Sequence, residues 1–346
     1  MERLQLISPR RGSCAAVRGG TATVLAGVFV LLFAALVSLL WALIAGEVSV
    51  PFAELLGVLA GDRGSFSASI ILELRLPRAL AAFACGGLLA TAGALMQVLL
   101  RNPLADPYIL GISGGAAVGA LGAMVLGAAV FWVDVSAFAG ALAAMLLVFG
   151  LAHGDGSWTQ TRLLLTGVIV AAGCGAAVSL MLALAPDTRV MSMLFWMMGD
   201  ASAASRPWPA LAVLALALVA VMPFARDLNV LARGEVVARA LGVRVGHLRI
   251  ALYVLASLLT ATAVTLVGSV GFVGLVVPHL VRLALGNDQR VLIPAAALAG
   301  GTLLTLADTA ARTVMAPQQL PVGVLTALIG VPVFLFLLSR SPRGKA

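Results

Sequence analysis

The chain has 346 residues, of which 62% are hydrophobic and only 10% are charged. Its formal net charge is +8, from 22 Lys and Arg against 14 Asp and Glu. This composition excludes an ordinary water-soluble domain, and several apolar runs approach the roughly 20 residues that a helix needs to cross a bilayer. We therefore predict an all-α, polytopic membrane protein.

The apolar runs predict about ten transmembrane helices in a single transmembrane domain covering residues 21–338. The first run is longer than the roughly 7–15-residue core of a cleavable signal peptide, so we interpret it as a span. Residues 1–20 and 339–346 are predicted to be tails. The predicted spans are 21–45, 77–100, 109–130, 135–152, 163–185, 207–224, 250–267, 271–286, 291–307 and 321–338.

Five spans in each half would reverse the orientation of the second half, which is compatible with an inverted repeat of two five-helix halves. The 37 glycines are distributed over nearly every span. Small residues let membrane helices approach closely, because lipid supplies no hydrophobic drive between them. We therefore expect close helix packing.

The distribution of cationic residues predicts the orientation. Sixteen of the 22 fall in the two tails and in loops on the same side of the membrane. The positive-inside rule then places both termini in the cytoplasm. On the opposite side, PFAELLGVLAG within residues 46–76 and RVMSMLFWMMGD at residues 189–200 are predicted to form short interfacial helices, in which the methionines pack.

The sequence offers no energy source or chemistry of its own. A P-loop needs a lysine that reaches the terminal phosphates, and the only lysine is Lys345. The three cysteines, Cys14, Cys85 and Cys174, are far apart, and no acidic residue falls at the middle of a span. We therefore predict no catalytic residue, metal or cofactor in this chain. If it pumps, a separate subunit supplies ATP hydrolysis.

One loop, residues 226–249, combines basic and apolar residues at helical spacing. Leu228–Val243 places Arg233, Glu235 and Arg239 among leucines and valines, which predicts a surface helix that docks a partner. Glu235 and Arg239 are four residues apart with the acid first, which favours an ion pair. The alternative is a solvated basic loop that only obeys the positive-inside rule.

Several blocks resemble a known family. These are the segment Arg75–Gly119, GFVGLVVPHLVRL from Gly271, ADTAAR at Ala307–Arg312 and LPVGVLTALIGVPVF at Leu320–Phe334. They are similar to permeases of the iron-chelate and cobalamin ABC importer family, in the family's order and over roughly three-quarters of the chain.

The resemblance implies a homodimer in the bacterial inner membrane, with two cytoplasmic ATPase subunits that bind ATP and Mg²⁺ and a periplasmic substrate-binding protein. Nucleic acid is not among the implied partners. Its substrate would be an iron chelate, either a ferric siderophore or haem, with cobalamin as the alternative. A passive channel or an intramembrane enzyme is the alternative of another class.

The resemblance also implies site residues in the basic loop, where the family docks its ATPase through two short helices. Arg233 stands where the family usually has an apolar residue, so this contact is expected to be more electrostatic here. The residues that match the family's docking pattern are Leu228, Asn229, Leu231, Gly234, Glu235, Ala238, Arg239, Leu241 and Gly242.

Three arginines at the outer face, Arg75, Arg78 and Arg312, match positions that receive acidic residues of the binding protein. The alternatives are lipid headgroups or pairing within the chain, with Glu73 and Asp308.

Four further residues match the cytoplasmic gate beneath the translocation path. Asn102 and Leu104 lie in a Pro-containing turn after the second span. Gln160 and Thr161 lie just before the fifth predicted span.

Overall fold

The computed structural model describes residues 21–46, 48, 50–152, 159–202, 204 and 206–340. The predicted N-terminal tail, residues 1–20, lies outside the described residues, as do residues 341–346. The start of the predicted C-terminal tail, residues 339–340, belongs to the last helix instead. Every regular element in the described part of the chain is helical.

The helices are numbered in chain order. They are α1 (Thr21–Ile44), α2 (Phe52–Leu59), α3 (Phe66–Ser69), α4 (Leu76–Leu99), α5 (Ile112–Val125), α6 (Val130–Ala152), α7 (Gln160–Leu184), α8 (Asp187–Met198), α9 (Trp208–Val221), α10 (Ala225–Leu231), α11 (Glu235–Ala240), α12 (Val245–Val267), α13 (Val273–Leu285), α14 (Gln289–Thr313) and α15 (Val322–Arg340). A π-turn, Ile70–Arg75, joins α3 to α4, and 3₁₀ turns, Pro107–Leu110 and Met222–Phe224, precede α5 and α10.

The prediction of a polytopic all-α protein is confirmed. Among the described residues, seven helical segments are long and apolar enough to cross a membrane, and α5, α13 and α15 are shorter apolar helices at the other three predicted positions. Several boundaries were wrong, and two of them bear on the predicted sites. The ninth span continues to Thr313, so Arg312 lies in its last turn, and the seventh begins at Val245, inside the predicted loop. The inverted repeat stays a prediction.

Helix α4 is the centre of the bundle. Every residue from Ala84 to Leu100 is buried, and the helix packs against α12, α13 and α14. Its Ala- and Gly-rich sequence permits this, because a Cβ built on Gly86 would lie 2.1 Å from the carbonyl oxygen of Gly300 in α14. Only glycine allows two backbones to cross so closely.

The two interfacial segments are helical as predicted, and form α2 and α8. In α8, Met193 is fully buried, as expected for a packing methionine, whereas Met191 is exposed. By contrast, α7 has long apolar side chains on an exposed face, among them Leu165, Ile169 and Leu180.

Candidate docking surfaces and gate

The basic loop forms two short helices, α10 and α11, as the resemblance implies, rather than the single surface helix that the spacing alone suggests. Ala232–Gly234 separates them, and Gly234 has a φ of +133°, a conformation that side-chain-bearing residues rarely adopt. Arg233 therefore lies in the link between the helices.

The inner face of this two-helix segment is fixed to the bundle. Leu228, Leu231 and Ala238 are fully buried. Asn229 donates from Nδ2 to Asp288 Oδ1 at 2.8 Å and accepts at Oδ1 from the backbone N–H of Gln289, also at 2.8 Å. Because these contacts join α10 to the start of α14, the segment is held as a rigid platform.

Glu235 ties α11 to α12. Its carboxylate accepts from Arg239 and from Arg249 in α12, both at 2.6 Å, so the predicted pair with Arg239 is confirmed. Burial alone would raise the pKa of Glu235, but the hydrogen bonds and charges of both arginines outweigh it and hold that pKa below its usual value. Glu235 therefore stabilises the platform rather than presenting a free carboxylate.

The outer face of the platform is apolar and cationic. Val236 is 82% exposed and Leu241 67% exposed, and Val237 is also exposed. Arg233 is exposed beside them, and the Arg239 side chain is 69% exposed. Exposed apolar side chains between arginines, on a rigid support, are typical of a surface that binds another protein.

At the other end of the bundle, Arg78 and Arg312 converge on Asp308. Arg78 donates to both oxygens of the Asp308 carboxylate at 2.9–3.1 Å, and the Nε atom of Arg312 lies 3.9 Å from it. Arg312 is 9% exposed and donates to the carbonyl of Ala42 at the end of α1. The alternative of pairing within the chain is thus found for Arg78.

Arg75 completes the same cluster from the π-turn. It is 6% exposed and donates to the carbonyl oxygens of Leu43 at 2.9 Å, Ile44 at 2.7 Å and Val48. The last carbonyls of a helix have no partners within it, so a guanidinium at this position both satisfies them and complements the helix dipole. In this conformation Arg75 is bound to the end of α1. Its docking role stays a prediction.

Sequence reasoning missed a second arginine of this kind. Arg189 in α8 donates to the carbonyls of Met124 at 2.7 Å and Val125 at 2.6 Å, at the end of α5. No local pattern reveals such a contact, because the carbonyls are contributed by a helix distant in sequence.

The two predicted gate segments lie together. In the turn after α4, Asn102 Oδ1 accepts from the backbone N–H of Leu104 at 2.9 Å. Gln160 donates to the Leu99 carbonyl at 3.1 Å and accepts from Arg101 at 3.3 Å. Gln160 and exposed Thr161 form the first turn of α7 rather than preceding it, which corrects the predicted boundary. The gating role stays a prediction.

Fold and surfaces together define a multi-pass membrane protein with a rigid platform at one end, whose outer face is apolar and cationic. The chain belongs to the FecCD transport family, whose model matches residues 30–340. It is a permease of the ABC importer class.

Two relatives illustrate the family. The cobalamin import system permease protein BtuC of Halobacterium salinarum is 43% identical over 274 residues, 78% of this chain and 73% of that protein. The hemin transport system permease protein HmuU of Yersinia pestis is 42% identical over 287 residues, 80% of this chain and 85% of that protein.

A solved structure has the same fold. It is described as an inward-facing conformation of a metal-chelate type ABC transporter, and it superposes with a TM-score of 0.79 at 29% identity. The match covers 92% of this chain and all of that one.

Proposed function

We propose that this chain is the permease subunit of an ATP-driven importer that moves an iron chelate, a ferric siderophore or haem, across the bacterial inner membrane into the cytoplasm. Two cytoplasmic ATPase subunits supply the work, and a periplasmic protein delivers the substrate. Both termini face the cytoplasm, in keeping with the arginine distribution.

The docking platform of α10 and α11 is the observation that carries the proposal. Its inner face is locked by buried leucines and by the bonds of Asn229 and Glu235, while Val236 and Leu241 remain exposed beside arginines. A passive channel or an intramembrane enzyme has no need of such a platform. A membrane pump without its own nucleotide site needs a rigid contact that transmits motion from the ATPase.

The exposed face of α7 supports a homodimer. Besides its long apolar side chains, this face includes Gly173, and a Cβ added there would meet no atom within 4 Å. Glycines that do not pack within the chain allow a helix of a second copy to approach closely. A path between two copies would then end near the gate turn of each.

The outer arginine cluster is the proposed docking point for the binding protein. Among its three arginines, Arg78 is suited to direct contact, since it also donates to exposed Gln319 at 2.8 Å. Arg75 and Arg312 would hold the end of α1 next to Arg78, through their hydrogen bonds to its carbonyl oxygens.

Cobalamin is the second candidate substrate. The 43% identical relative is named for cobalamin import and the 42% identical relative for hemin transport, so identity alone favours neither. Affinity of the cognate periplasmic protein for a ferric siderophore, haem and cobalamin would decide between them.

Substitution Val236→Asp tests the proposal at its centre. The residue is exposed in the first turn of α11, where an acidic residue complements the helix dipole, so the variant should fold. A charge in an apolar contact should nevertheless abolish ATPase binding, while the matched Val236→Thr control, similar in shape and uncharged, retains most of it. Equal ATPase binding by both variants, measured by co-purification, would show that α11 is not the docking site.

A further inference from the structure

A cationic pocket lies beside the docking platform. It has a volume of about 520 Å³ and is enclosed by the gate turn, the link between α10 and α11, and the junction of α13 and α14. Three arginines line it, Arg101, Arg233 and Arg282, each from a different one of these segments.

The positive charge of this pocket is not compensated by ion pairs. Arg282 donates to Gln97 Oε1 at 2.7 Å and Arg101 to Gln160, so both have neutral amide partners. Arg233 has no side-chain partner among the described residues. The pocket also contains the carboxylate of Asp288, which bonds Asn229 and the backbone N–H of Arg290.

A buried side-chain amide at the pocket wall also has unused hydrogen-bonding capacity. Gln289 is 2% exposed, and its Oε1 has no hydrogen-bond donor among the described residues. Its Nε2 reaches the Asn287 carbonyl at only 3.5 Å. Because this Nε2 contact is long, the amide group has an N–H to donate to an anionic ligand held by the arginines.

The backbone conformation of Arg101 also indicates a functional site at this pocket. Its φ of +46° is unusual for a residue with a side chain, and it places this arginine at the pocket, directly before the gate residue Asn102. Backbone strain of this kind persists where surrounding contacts impose it, and it concentrates at functional sites.

We propose that the pocket receives a carboxylate side chain of the ATPase subunit. The inference rests on the proposed function, because the protein that covers Val236 would also cover Arg233, three residues earlier. A guanidinium that loses water in an interface needs an anionic partner with bidentate geometry, and a carboxylate supplies it. The carboxylate of the ATPase would then connect the platform, the gate turn and α13, each of which contributes one arginine to the pocket.

Carbodiimide cross-linking of the variant Arg233→Lys in the complex with the ATPase tests this. The reagent joins a lysine amine directly to a carboxylate in contact with it. Cross-links from other lysines of this chain should be rare, because Lys345 is its only native lysine. We expect a cross-link from position 233 to one Asp or Glu of the ATPase, at least tenfold more abundant than in the matched control Arg226→Lys, which lies outside the pocket lining.

A second variant, Arg233→Gln, should bind the ATPase about tenfold more weakly at low ionic strength, with the difference shrinking at high salt. If the ATPase co-purifies with the parent chain but the cross-link does not exceed the control, the carboxylate assignment is wrong and the proposed function survives. No co-purification at all would instead contradict the proposed function. A phospholipid seen by native mass spectrometry of the permease alone, and lost in Arg233→Gln, would identify a lipid headgroup as the occupant and overturn the proposal.

Discussion

Replacing Asp308 with Asn should destabilise the outer end of the bundle strongly. The carboxylate is 2% exposed, accepts three hydrogen bonds from Arg78 and lies 3.9 Å from Arg312. Asparagine keeps one acceptor oxygen but removes the charge, which leaves two guanidinium groups close together without a carboxylate. Breaking a buried ion pair by removing one partner costs about 3–5 kcal/mol, and we expect a loss in this range.

The free energy of unfolding of parent and Asp308→Asn should be compared by equilibrium unfolding in mixed detergent micelles. Adding Arg78→Gln to Asp308→Asn is the matched control, because it removes one of the unpaired cations. The double variant should recover part of the lost stability, so the two substitutions should not be additive. A loss below about 1 kcal/mol for Asp308→Asn, the range of exposed pairs, would refute the view that Asp308 holds this cluster together.

Three further outcomes follow from the same contacts. Gly86→Ala should cost about 1–3 kcal/mol of unfolding free energy because its Cβ would clash with the α14 backbone, whereas Gly150→Ala in α6, with open space around it, should not lower the free energy of unfolding; a neutral Gly86→Ala would contradict the close crossing. The pKa of Glu235 is lowered from 4.5, so its ion pairs stabilise the protein above that pH and are lost as pH falls through the lowered pKa. The free energy of unfolding should therefore fall less on acidification for Glu235→Gln than for the parent. Equal decreases in the two proteins would count against the pairing. Cysteine at Asn102 or Leu104 should cross-link to its symmetry mate in the closed state and block uptake, and a cross-link that never forms, or has no effect on uptake, would move the gate toward α7.

The helical architecture could be predicted because long apolar runs are a local property of the sequence. The errors arose where charges lie inside helices. The predicted ninth span ended at residue 307, directly before Asp308, yet the helix continues to Thr313, and Asp308 pairs inside it with Arg78 and Arg312. A single sequence does not reveal such a pairing, since Arg78 lies 230 residues away in the chain from Asp308.

The site was predicted in part. Amphipathic spacing indicated the docking segment, but its division at Gly234 depends on a backbone conformation that the spacing does not encode. Arg75 was expected to face a partner because it lies on the cation-poor side and matches a docking position of the family, whereas in this conformation it is buried and bonded to the end of α1. The cationic pocket was not predicted at all, because its three arginines come together only through the tertiary fold.

Uptake by proteoliposomes tests the central claim most directly. The chain would be reconstituted with its ATPase, the substrate-loaded binding protein would be added outside, and chelate accumulation would be followed with ATP inside. The account predicts accumulation against a gradient that requires both ATP and the ATPase, and that Val236→Asp abolishes. Equilibration of the chelate by this chain alone, unaffected by ATP, would identify a passive channel and contradict the account.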